Sequence, residues 1–388
     1  MVARGTARIE WIRSRMLLLA ATRDEYARTR PFAGRRIGMS LHLEPKTAVL
    51  LETLATGGAE IVATGNHGST QDDIVAYLRS TGMTVFGSRD DSLETHHENV
   101  RSVAVAAPDI LLDNGADLAA LIVADGQAAR VIGGTEETTS GADRLRGELV
   151  DVVPFPVIVI NDSPLKAIGE NRHAVGQSVV ESFMRITNLM VPGRRFVVVG
   201  YGWCGRGVAQ YLRALGGKVA VVEVDEIKAF EAAMDGFRVA EVIELAQWGE
   251  VFITATGHRD ILTAEFFERV ASGAVLANCG HFPWEIDVAA LRAMSQGEVH
   301  LDDALDRIDL PGGRHVILIA DGRMMNLAGR EPKGNSLESM DLGFLLQCLS
   351  LERVCTDPGS LCPGPQPVPD DIDRTIARRM LASMGAQR

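Results

Sequence analysis

The feature that most constrains the fold of this 388-residue chain is an apolar run that leads straight into closely spaced glycines. The run is Phe196–Val199, and the glycines that follow it have the spacing GxGxxG: Gly200, Gly202 and Gly205. The first glycine permits a tight turn, the second lets the backbone approach a pyrophosphate, and the third lets a helix pack closely on a strand. The segment therefore predicts a strand–turn–helix unit that binds a dinucleotide.

Glu223 indicates which dinucleotide this unit prefers. It stands near the end of the next apolar run, Val219–Val224, where a carboxylate accepts hydrogen bonds from the ribose hydroxyls of adenosine. The same carboxylate repels a 2′-phosphate, so the sequence predicts NAD rather than NADP as the cofactor. A glycine-rich turn without a ligand is the alternative, and the strand, helix and acidic residue around the glycines argue against it.

Short apolar runs alternate with helical patterns along both halves of the chain. The runs predicted as strands are Arg36–Leu43, Glu60–Thr64, Thr84–Phe86, Ile110–Asp113, Ala120–Val123, Arg130–Ile132, Val157–Ile160, Phe196–Val199, Val219–Val224, Val251–Thr254, Ala274–Ala277 and Val316–Ala320. Helices are predicted at residues 177–190, 208–215, 226–234, 264–271, 288–294 and 371–384. Such alternation is typical of parallel sheets that are covered by helices on both faces.

The length of the chain favours two domains, and the alternation of strands and helices makes both of them α/β. The predicted fold class is α/β, with two doubly wound parallel-sheet, Rossmann-like domains, a cleft between them and a short C-terminal helical tail. We assign residues 1–178 and 326–358 to a substrate-binding domain and residues 179–325 to an NAD-binding domain. Residues 359–388 are predicted to form a linker, rich in proline and glycine, followed by the tail.

The composition excludes several classes of partner. A net charge of −12 argues against nucleic acid, because a phosphate backbone needs a basic face. No apolar run reaches the roughly 18 residues of a membrane span. Five cysteines without paired spacing fit a reducing, cytoplasmic compartment, and their spacing is not that of a zinc site, so no metal is predicted. The expected partner is a small molecule.

Polar residues cluster after the predicted strands of the first half, where open α/β sheets bind their ligands. The segments are Ser40–Thr47, Ser69–Asp72, Asp113–Asp117, Glu136–Thr139 and Asn161–Lys166. Taken singly, each has a plain packing explanation, such as a histidine of the core, a helix cap or a solvated turn. Their shared position after strands predicts that together they form the substrate site.

Together with the glycine-rich segment, these residues resemble the S-adenosylhomocysteine hydrolase family, most of all its archaeal and thermophile branch. The resemblance extends over nearly the whole chain. The motifs that carry it are HLEPKTA at residues 42–48, GYGWCGRG at 200–207, VEVD at 222–225, GHFPWEID at 280–287 and GRMMNL at 322–327. The order and spacing of several specific motifs make a chance match improbable.

The resemblance implies an enzyme with tightly bound, catalytic NAD that acts on an adenine-type nucleoside. The ribose 3′-hydroxyl is first oxidised with NAD, which acidifies the proton on C4′. A base removes that proton, the 5′ substituent leaves, and the 3′-ketone is finally reduced back, so that NAD is not consumed. The resemblance also implies a homotetramer, with a dimer as the alternative.

The resemblance also implies roles for individual residues. Lys166 takes the proton of the 3′-hydroxyl, Glu137 binds the ribose hydroxyls, and His42 and His281 serve acid–base chemistry at the 5′ position. The expected cofactor-binding residues are Thr138, Thr139, Asn171, Gly200, Gly202, Trp203, Cys204, Gly205, Glu223, Thr256, Gly257 and Asn326. The expected substrate-binding residues are Glu44, Lys46, Thr47, Ser69, Thr70, Gln71, Asp72, Asp117 and Asn335.

The chain departs from the family pattern at the substrate site. Asn114 replaces an aspartate expected beside the 5′ position, and asparagine cannot act as an acid or base there. Ala116 replaces a glycine of the same loop. Glu170 stands where the family has aspartate, and Asn335 stands where it has histidine. We keep Asn114 and Glu170 among the catalytic candidates.

These departures leave three functions open. We favour a specialised paralogue that removes the 5′-hydroxyl of a nucleoside as water and yields a 4′,5′-unsaturated product, because a neutral Asn114 suits a neutral leaving group. The alternative is a genuine S-adenosylhomocysteine hydrolase in which the departures are drift. The second alternative is an NAD-binding regulatory protein without activity, and the retained His42, Glu137, Lys166 and His281 argue against it.

Overall fold

The computed structural model describes residues 1–280 and 282–385. The chain divides into two compact units: the first comprises residues 1–167 and the segment from 337 onward, and the second comprises residues 168–336. Both ends of the chain therefore contribute to the first unit. The segment after residue 359, which the sequence set apart as linker and tail, lies in that first unit.

Strands and helices alternate along both units. The strands are β1 (Arg36–Ser40), β2 (Glu60–Thr64), β3 (Thr84–Phe86), β4 (Ile110–Asp113), β5 (Gly133–Glu136), β6 (Pro156–Val159), β7 (Arg195–Val199), β8 (Lys218–Val222), β9 (Arg238–Val239), β10 (Val251–Thr254), β11 (Ala274–Asn278), β12 (Gly297–Asp302), β13 (Leu305–Leu310), β14 (Arg314–Ile319) and β15 (Gly364–Pro367). The helices are α1 (Val2–Arg13), α2 (Leu17–Thr29), α3 (Pro45–Thr56), α4 (Asp72–Ser80), α5 (Leu93–Val105), α6 (Asp117–Ala124), α7 (Thr139–Arg146), α8 (Pro164–Lys166), α9 (Val175–Thr187), α10 (Trp203–Ala214), α11 (Glu226–Met234), α12 (Val242–Leu245), α13 (Ala264–Arg269), α14 (Val288–Ala293), α15 (Leu337–Thr356) and α16 (Asp370–Ser383).

A parallel sheet forms the centre of the first unit. Its strand order is β15-β6-β5-β4-β1-β2-β3, and every neighbouring pair is parallel. The inner strands β1 and β4 are buried along nearly their whole length, as is typical of parallel sheets that are covered on both faces. The long helix α15 packs into the same core, and Asp341 at its start accepts hydrogen bonds from Leu18 N at 2.8 Å and Leu19 N at 2.9 Å.

The second unit is built on a sheet with the order β12-β13-β14-β11-β10-β7-β8-β9. The strands from β14 to β9 in this order are parallel, whereas β12, β13 and β14 form an antiparallel meander at one edge. The chain passes from β7 to β8 on one side, and β10 lies on the other side of β7. The strand order therefore reverses beside the carboxyl end of β7, which is where open α/β sheets bind nucleotides.

The structure confirms the α/β class and corrects several predicted elements. Ala120–Val123 is not a strand, because it lies in the helix α6. Arg130–Ile132 is not a strand either: a short 3₁₀ turn, Ala128–Arg130, precedes the strand β5. Residues 364–367, within the predicted linker, form the edge strand β15. In the described part of the chain, no helix is long and apolar enough to cross a membrane.

Candidate active site

His42 is held in a defined orientation after strand β1. Its Nδ1 atom lies 2.6 Å from the hydroxyl of Ser69, which stands on the loop after β2. The Ser69 hydroxyl donates to the carbonyl of Asn66 at 3.1 Å, so we assign the hydroxyl as the acceptor from Nδ1–H. The hydroxyl of Thr47 donates to the His42 carbonyl at 2.7 Å. This tautomer makes Nε2 the basic nitrogen of the imidazole.

Lys166 and Glu137 form a buried ion pair in the first unit. Their side chains are 4% and 8% exposed, and Lys166 Nζ lies 2.5 Å from Glu137 Oε1. The same ammonium donates to the Glu137 carbonyl, and the side-chain amide of Gln347 donates to Glu137 Oε2. A buried charge pair is stable only when further hydrogen bonds satisfy it, and Gln347 supplies one of these. Gln347 was missed from the sequence because it lies on α15, far along the chain.

Asn114 is paired with a second neutral amide. It follows the strand β4 and is 4% exposed, and its side-chain carbonyl accepts from Asn66 Nδ2 at 3.2 Å. Asn66 was not among the predicted residues, although it lies just before the predicted segment 69–72. The departure at Asn114 is therefore accommodated by hydrogen bonding between two amides, and neither of them titrates.

Two buried carboxylates, Asp113 and Glu136, lie opposite each other at the ends of β4 and β5. Asp113 accepts from the backbone N–H groups of Asn114, Leu118 and Ala119. Glu136 accepts from the backbone N–H groups of the loop after β4 and from Thr138. Burial raises the pKa of Asp113 to about 7 and that of Glu136 to about 8, and the negative charge of Asp113 adds to the shift of Glu136. The pair supports the loops that carry Asn114 and Glu137.

This pair makes stability depend on pH. The native pKa values lie above the ordinary values of 3.8 and 4.5. At pH values between the ordinary and the native pKa, the native state therefore binds more protons than the unfolded state. We expect the free energy of unfolding to fall by several kcal/mol as the pH rises from 5 to 9, the range in which both carboxyls lose their protons in the native state. Asp113→Asn removes one titrating group and should flatten the profile, as measured by urea unfolding at each pH. A flat profile for the unchanged protein would contradict the prediction.

Ala116 occupies a backbone conformation that suits glycine. Its φ is +58° and its ψ is 26°, in the left-handed region, and it is fully buried before α6. A side chain there costs about 1–2 kcal/mol. We expect Ala116→Gly to raise the free energy of unfolding by about 1 kcal/mol, part of the gain being offset by a more flexible unfolded chain. Ala119→Gly, inside the helix α6, should lower the free energy of unfolding by about 1 kcal/mol, and equal effects at the two positions would contradict this account.

Other predicted substrate residues are already engaged within the first unit. Lys46 Nζ lies 3.1 Å from Glu44 Oε1, and Thr70 donates to the Asn66 carbonyl at 3.3 Å. Further contacts join Gln71 to Arg8, Asp72 to the backbone N–H of Arg89, and Asp117 to Arg144. Thr138 caps the helix α7, which begins at Thr139, by accepting from Gly141 N at 3.0 Å. The last four contacts position loops and helices. The roles of Gln71, Asp72 and Asp117 toward a substrate, and of Thr138 toward the cofactor, therefore remain predictions.

The glycines of the second unit form the cradle that the sequence predicts. Gly200 has a φ of +101°, and a Cβ on Gly205 would lie 2.0 Å from the Gly200 carbonyl oxygen. A Cβ on Gly202 would meet nothing within 4 Å among the described residues, so space remains at the start of α10. The N-terminus of a helix directs backbone N–H groups and a positive dipole end at an anion, which suits a pyrophosphate. The geometry of this segment therefore fits NAD.

Glu223 lies directly after β8 and faces the same turn. Its carboxylate accepts from the backbone N–H of Tyr201 at 2.6 Å, of Val224 at 2.8 Å and of Asp225 at 3.0 Å. A carboxylate has about four acceptor positions, so capacity remains for a ribose hydroxyl. Trp203 is partly exposed, with the Arg206 guanidinium 4.9 Å from its ring centroid, and Cys204 packs against the core of the unit.

Glu285 is a functional candidate that the sequence reasoning passed over. It is fully buried, and it accepts from Thr256 N and Oγ1 at 2.8 Å and from Gly257 N at 2.9 Å. It thus shapes the predicted cofactor loop after β10. Asn278 joins the segments around residue 280 by donating to the Phe282 and Gly322 carbonyls. His281, the predicted partner of His42, lies outside the described residues.

A chain of polar side chains connects two departures with a predicted cofactor residue in the second unit. Asn335 Nδ2 donates to Glu170 Oε1 at 3.4 Å, and Ser178 Oγ donates to Asn335 Oδ1 at 3.2 Å. Asn326 Nδ2 donates to Ser178 Oγ at 3.2 Å. Asn326 is 5% exposed, and its carbonyl oxygen accepts no hydrogen bond from any described residue. Such an oxygen suits an amide N–H of a bound cofactor.

The π-helical segment Ala167–Ala174 carries Glu170 and Asn171 toward the start of α9. Segments of this kind occur often at functional sites. Across the described ranges, no group of three or more histidine, cysteine, aspartate or glutamate residues is arranged to hold a metal ion.

Comparison with known proteins covers both units. Residues 1–130 match the family model described as S-adenosyl-L-homocysteine hydrolase, and residues 171–331 match its NAD binding domain. Over 99% of its length the chain is 44% identical to S-inosyl-L-homocysteine hydrolase of Methanopyrus kandleri, of which 91% is covered. Over 99% of its length it is 42% identical to adenosylhomocysteinase of Archaeoglobus fulgidus, of which 95% is covered.

A solved structure shows a related fold at much lower identity. One of the subunits of dipicolinate synthase from Bacillus halodurans matches with a TM-score of 0.50 at 12% identity, over 84% of this chain and 99% of that chain. At this identity the likeness concerns the fold alone. The sequence relatives, in contrast, match at 44% and 42% identity over almost the whole chain.

Proposed function

Because this chain belongs to the S-adenosyl-L-homocysteine hydrolase family, with its NAD-binding domain, we propose that it transforms an adenine-type nucleoside at C5′. The proposed route has three chemical stages: oxidation at C3′, removal of the C4′ proton with loss of the 5′ substituent, and reduction of C3′. NAD, when bound, accepts the hydride from C3′ and returns it at the end. The remaining tasks fall to side chains of this chain.

The observation that carries the proposal is the buried pair of Lys166 and Glu137. Oxidation of an alcohol requires a group that takes the hydroxyl proton while the hydride leaves carbon. In our proposal Lys166 takes that proton as the neutral amine and becomes the ammonium that pairs with Glu137, whose Oε1 lies 2.5 Å from Nζ. Glu137 also accepts a ribose hydroxyl. Gln347 keeps Glu137 in place from its second oxygen. The resulting ketone makes the proton on C4′ acidic enough for a base to remove.

At the 5′ side, we assign proton transfer to His42. Its Nδ1 is engaged by Ser69, so Nε2 takes and returns the proton. His281 stays the predicted second histidine at this position. Asn114 and Asn66 contribute hydrogen bonds without charge.

The neutral pair of Asn114 and Asn66 supports dehydration as the outcome. In that reaction the C4′–H and C5′–O bonds break, the 5′-hydroxyl leaves as water, and reduction at C3′ gives a 4′,5′-unsaturated nucleoside. Hydrolysis of a homocysteine nucleoside is the second candidate. It is supported by the names of the two relatives above, an S-inosyl-L-homocysteine hydrolase and an adenosylhomocysteinase.

One incubation separates these outcomes. The protein loaded with NAD is mixed in turn with S-adenosylhomocysteine, S-inosylhomocysteine, adenosine and a ketose-sugar adenine nucleoside, and products are read by mass spectrometry. Loss of water from a nucleoside supports dehydration, whereas release of homocysteine supports hydrolysis. If no nucleoside reacts and none reduces the bound NAD, the enzymatic proposal fails and an NAD-binding regulatory role takes its place.

The remaining predictions concern the oligomeric state of the protein and its cellular location. We keep the homotetramer implied by the family, with a dimer as the alternative, and a cytoplasmic location. Size-exclusion chromatography with light scattering tests the first of these directly.

A further inference from the structure

Glu170 and Asn335 are both departures from the family pattern, and in this structure they contact each other. Asn335 Nδ2 donates to Glu170 Oε1 at 3.4 Å. Glu170 is 8% exposed, so the contact is shielded from water on the side of the carboxylate. The two positions are far apart in sequence, and nothing in the sequence alone connects them. Two substitutions that meet in space are candidates for mutual compensation.

The lengths of the side chains fit such compensation. Glutamate reaches one methylene farther than the aspartate of the family pattern, and asparagine is shorter than the histidine of that pattern. A longer carboxylate therefore meets a shorter partner. Reverting Glu170 alone leaves a gap between the two groups, whereas reverting Asn335 alone places a ring where the longer carboxylate lies. Reverting both restores a long partner and a short carboxylate.

The contact also fixes the orientation of the Asn335 amide. Its nitrogen faces Glu170 and its carbonyl oxygen accepts from Ser178 Oγ at 3.2 Å. The Ser178 hydroxyl has one proton and a second acceptor in reach, the Val175 carbonyl at 3.2 Å. Reversal of the Asn335 amide would bring its nitrogen to Ser178, turn the serine proton to Val175 and make Asn335 compete with Asn326 for the serine oxygen.

Ser178 passes the orientation on to Asn326. The Ser178 oxygen accepts from Asn326 Nδ2 at 3.2 Å, which leaves the buried Asn326 carbonyl oxygen as the atom without a hydrogen bond from the described residues. An oxygen in that position accepts from a carboxamide N–H, and the nicotinamide of NAD carries one. Reversal of the Asn326 amide would instead present a donor to a donor.

We propose that Glu170 and Asn335 act as one coupled positioning pair that, through Ser178, orients Asn326 toward the amide of the cofactor. The pair couples the substrate-binding position Asn335 with the cofactor-binding position Asn326. The substrate part of this inference rests on the proposed function, whereas the cofactor part rests on the NAD-binding domain alone.

A double-mutant cycle tests the pair. Glu170→Asp, Asn335→His and the double variant are compared with the unchanged protein for the dissociation constant of NAD and for kcat and KM on the nucleoside. We expect each single variant to weaken NAD binding about tenfold and to lower kcat more than it raises KM. The double variant should return to within about threefold of the unchanged protein. Glu181→Asp makes the same chemical change at a more exposed position, on α9, and should leave the dissociation constant of NAD, kcat and KM unchanged.

The outcomes separate this inference from the proposed function. If the double variant shows the product of the two single losses in NAD binding, the residues act independently and the pair is disproved. Unchanged NAD binding in both single variants disproves it equally. Ser178→Ala should weaken NAD binding, and adding Glu170→Asp to it should weaken binding no further. Because NAD binding needs no substrate, the cycle is decisive even when every nucleoside fails to react. Thermal unfolding of each variant shows that the fold is intact.

Discussion

Replacement of Lys166 by methionine is expected to lower turnover of the nucleoside by about a thousandfold. A positioned acid–base group contributes about 10²- to 10⁴-fold, and Lys166 is the group that we place at the 3′-hydroxyl. The variant removes the cation that neutralises Glu137, so we also expect a loss of about 3–5 kcal/mol in the free energy of unfolding. Turnover is measured under substrate saturation, and the reduction of bound NAD is followed by absorbance in a single turnover.

Lys166→Arg tests the role of Lys166 even if the methionine variant folds poorly. Arginine retains the positive charge beside Glu137, but it does not give up a proton in proteins. The arginine variant should therefore fold and bind NAD while reducing none of it. Lys218→Met, at an exposed position at the start of β8, is the matched control and should have ordinary turnover. Full activity of the arginine variant would remove Lys166 from the proposed mechanism.

The second large effect is expected at the glycines of the cradle. One substitution there should weaken NAD binding, and another should lower the stability of the fold. Gly202→Val places its side chain in open space, so stability should change little while NAD binding weakens about a hundredfold or more. Gly205→Ala drives a methyl group to within 2.0 Å of the Gly200 carbonyl oxygen, and this should cost about 1–3 kcal/mol of stability.

Urea unfolding in the absence of NAD and titration of NAD measure the two effects separately. Added NAD should raise the melting temperature of the unchanged protein, because a ligand that binds only the native state stabilises it. The same addition of NAD should leave the melting temperature of the Gly202→Val variant unchanged. If Gly202→Val binds NAD normally, the pyrophosphate lies elsewhere, and the assignment of the cradle is wrong.

Elements with strong local signals could be predicted from the sequence. The helix α11 has the predicted bounds, 226–234, because Asp225 caps its start and its first turn is acidic. The strand–glycine–helix segment at β7 and α10 is also as predicted. The prediction of a strand at Ala120–Val123 was wrong for a general reason: a short apolar run is equally compatible with a buried strand and a buried helix. β5 pairs with β4, and β15 pairs with β6. These neighbouring strands override the glycine and proline in the two short segments.

The same limit applies to the candidate site. The resemblance located Lys166 and Glu137, since each lies in a recognisable segment. Gln347, Asn66 and Glu285 could not be assigned their roles, because a hydrogen bond between distant residues leaves no local pattern in one sequence. The contact between Glu170 and Asn335 belongs to the same class: the two departures could be noticed singly, but not their proximity.

The return of the chain to its first unit has a consequence for how the protein folds as it is synthesised. Residues 1–167 emerge before α15, whose apolar side chains fill their core and whose Asp341 accepts from the first N–H groups of α2. The core of the first unit is therefore incomplete while residues 168–336 are synthesised. These residues form one uninterrupted segment with its own core. We expect residues 168–336 to become protease-resistant first. The packing of α15 into the core of the first unit should then be the slow, late step of folding.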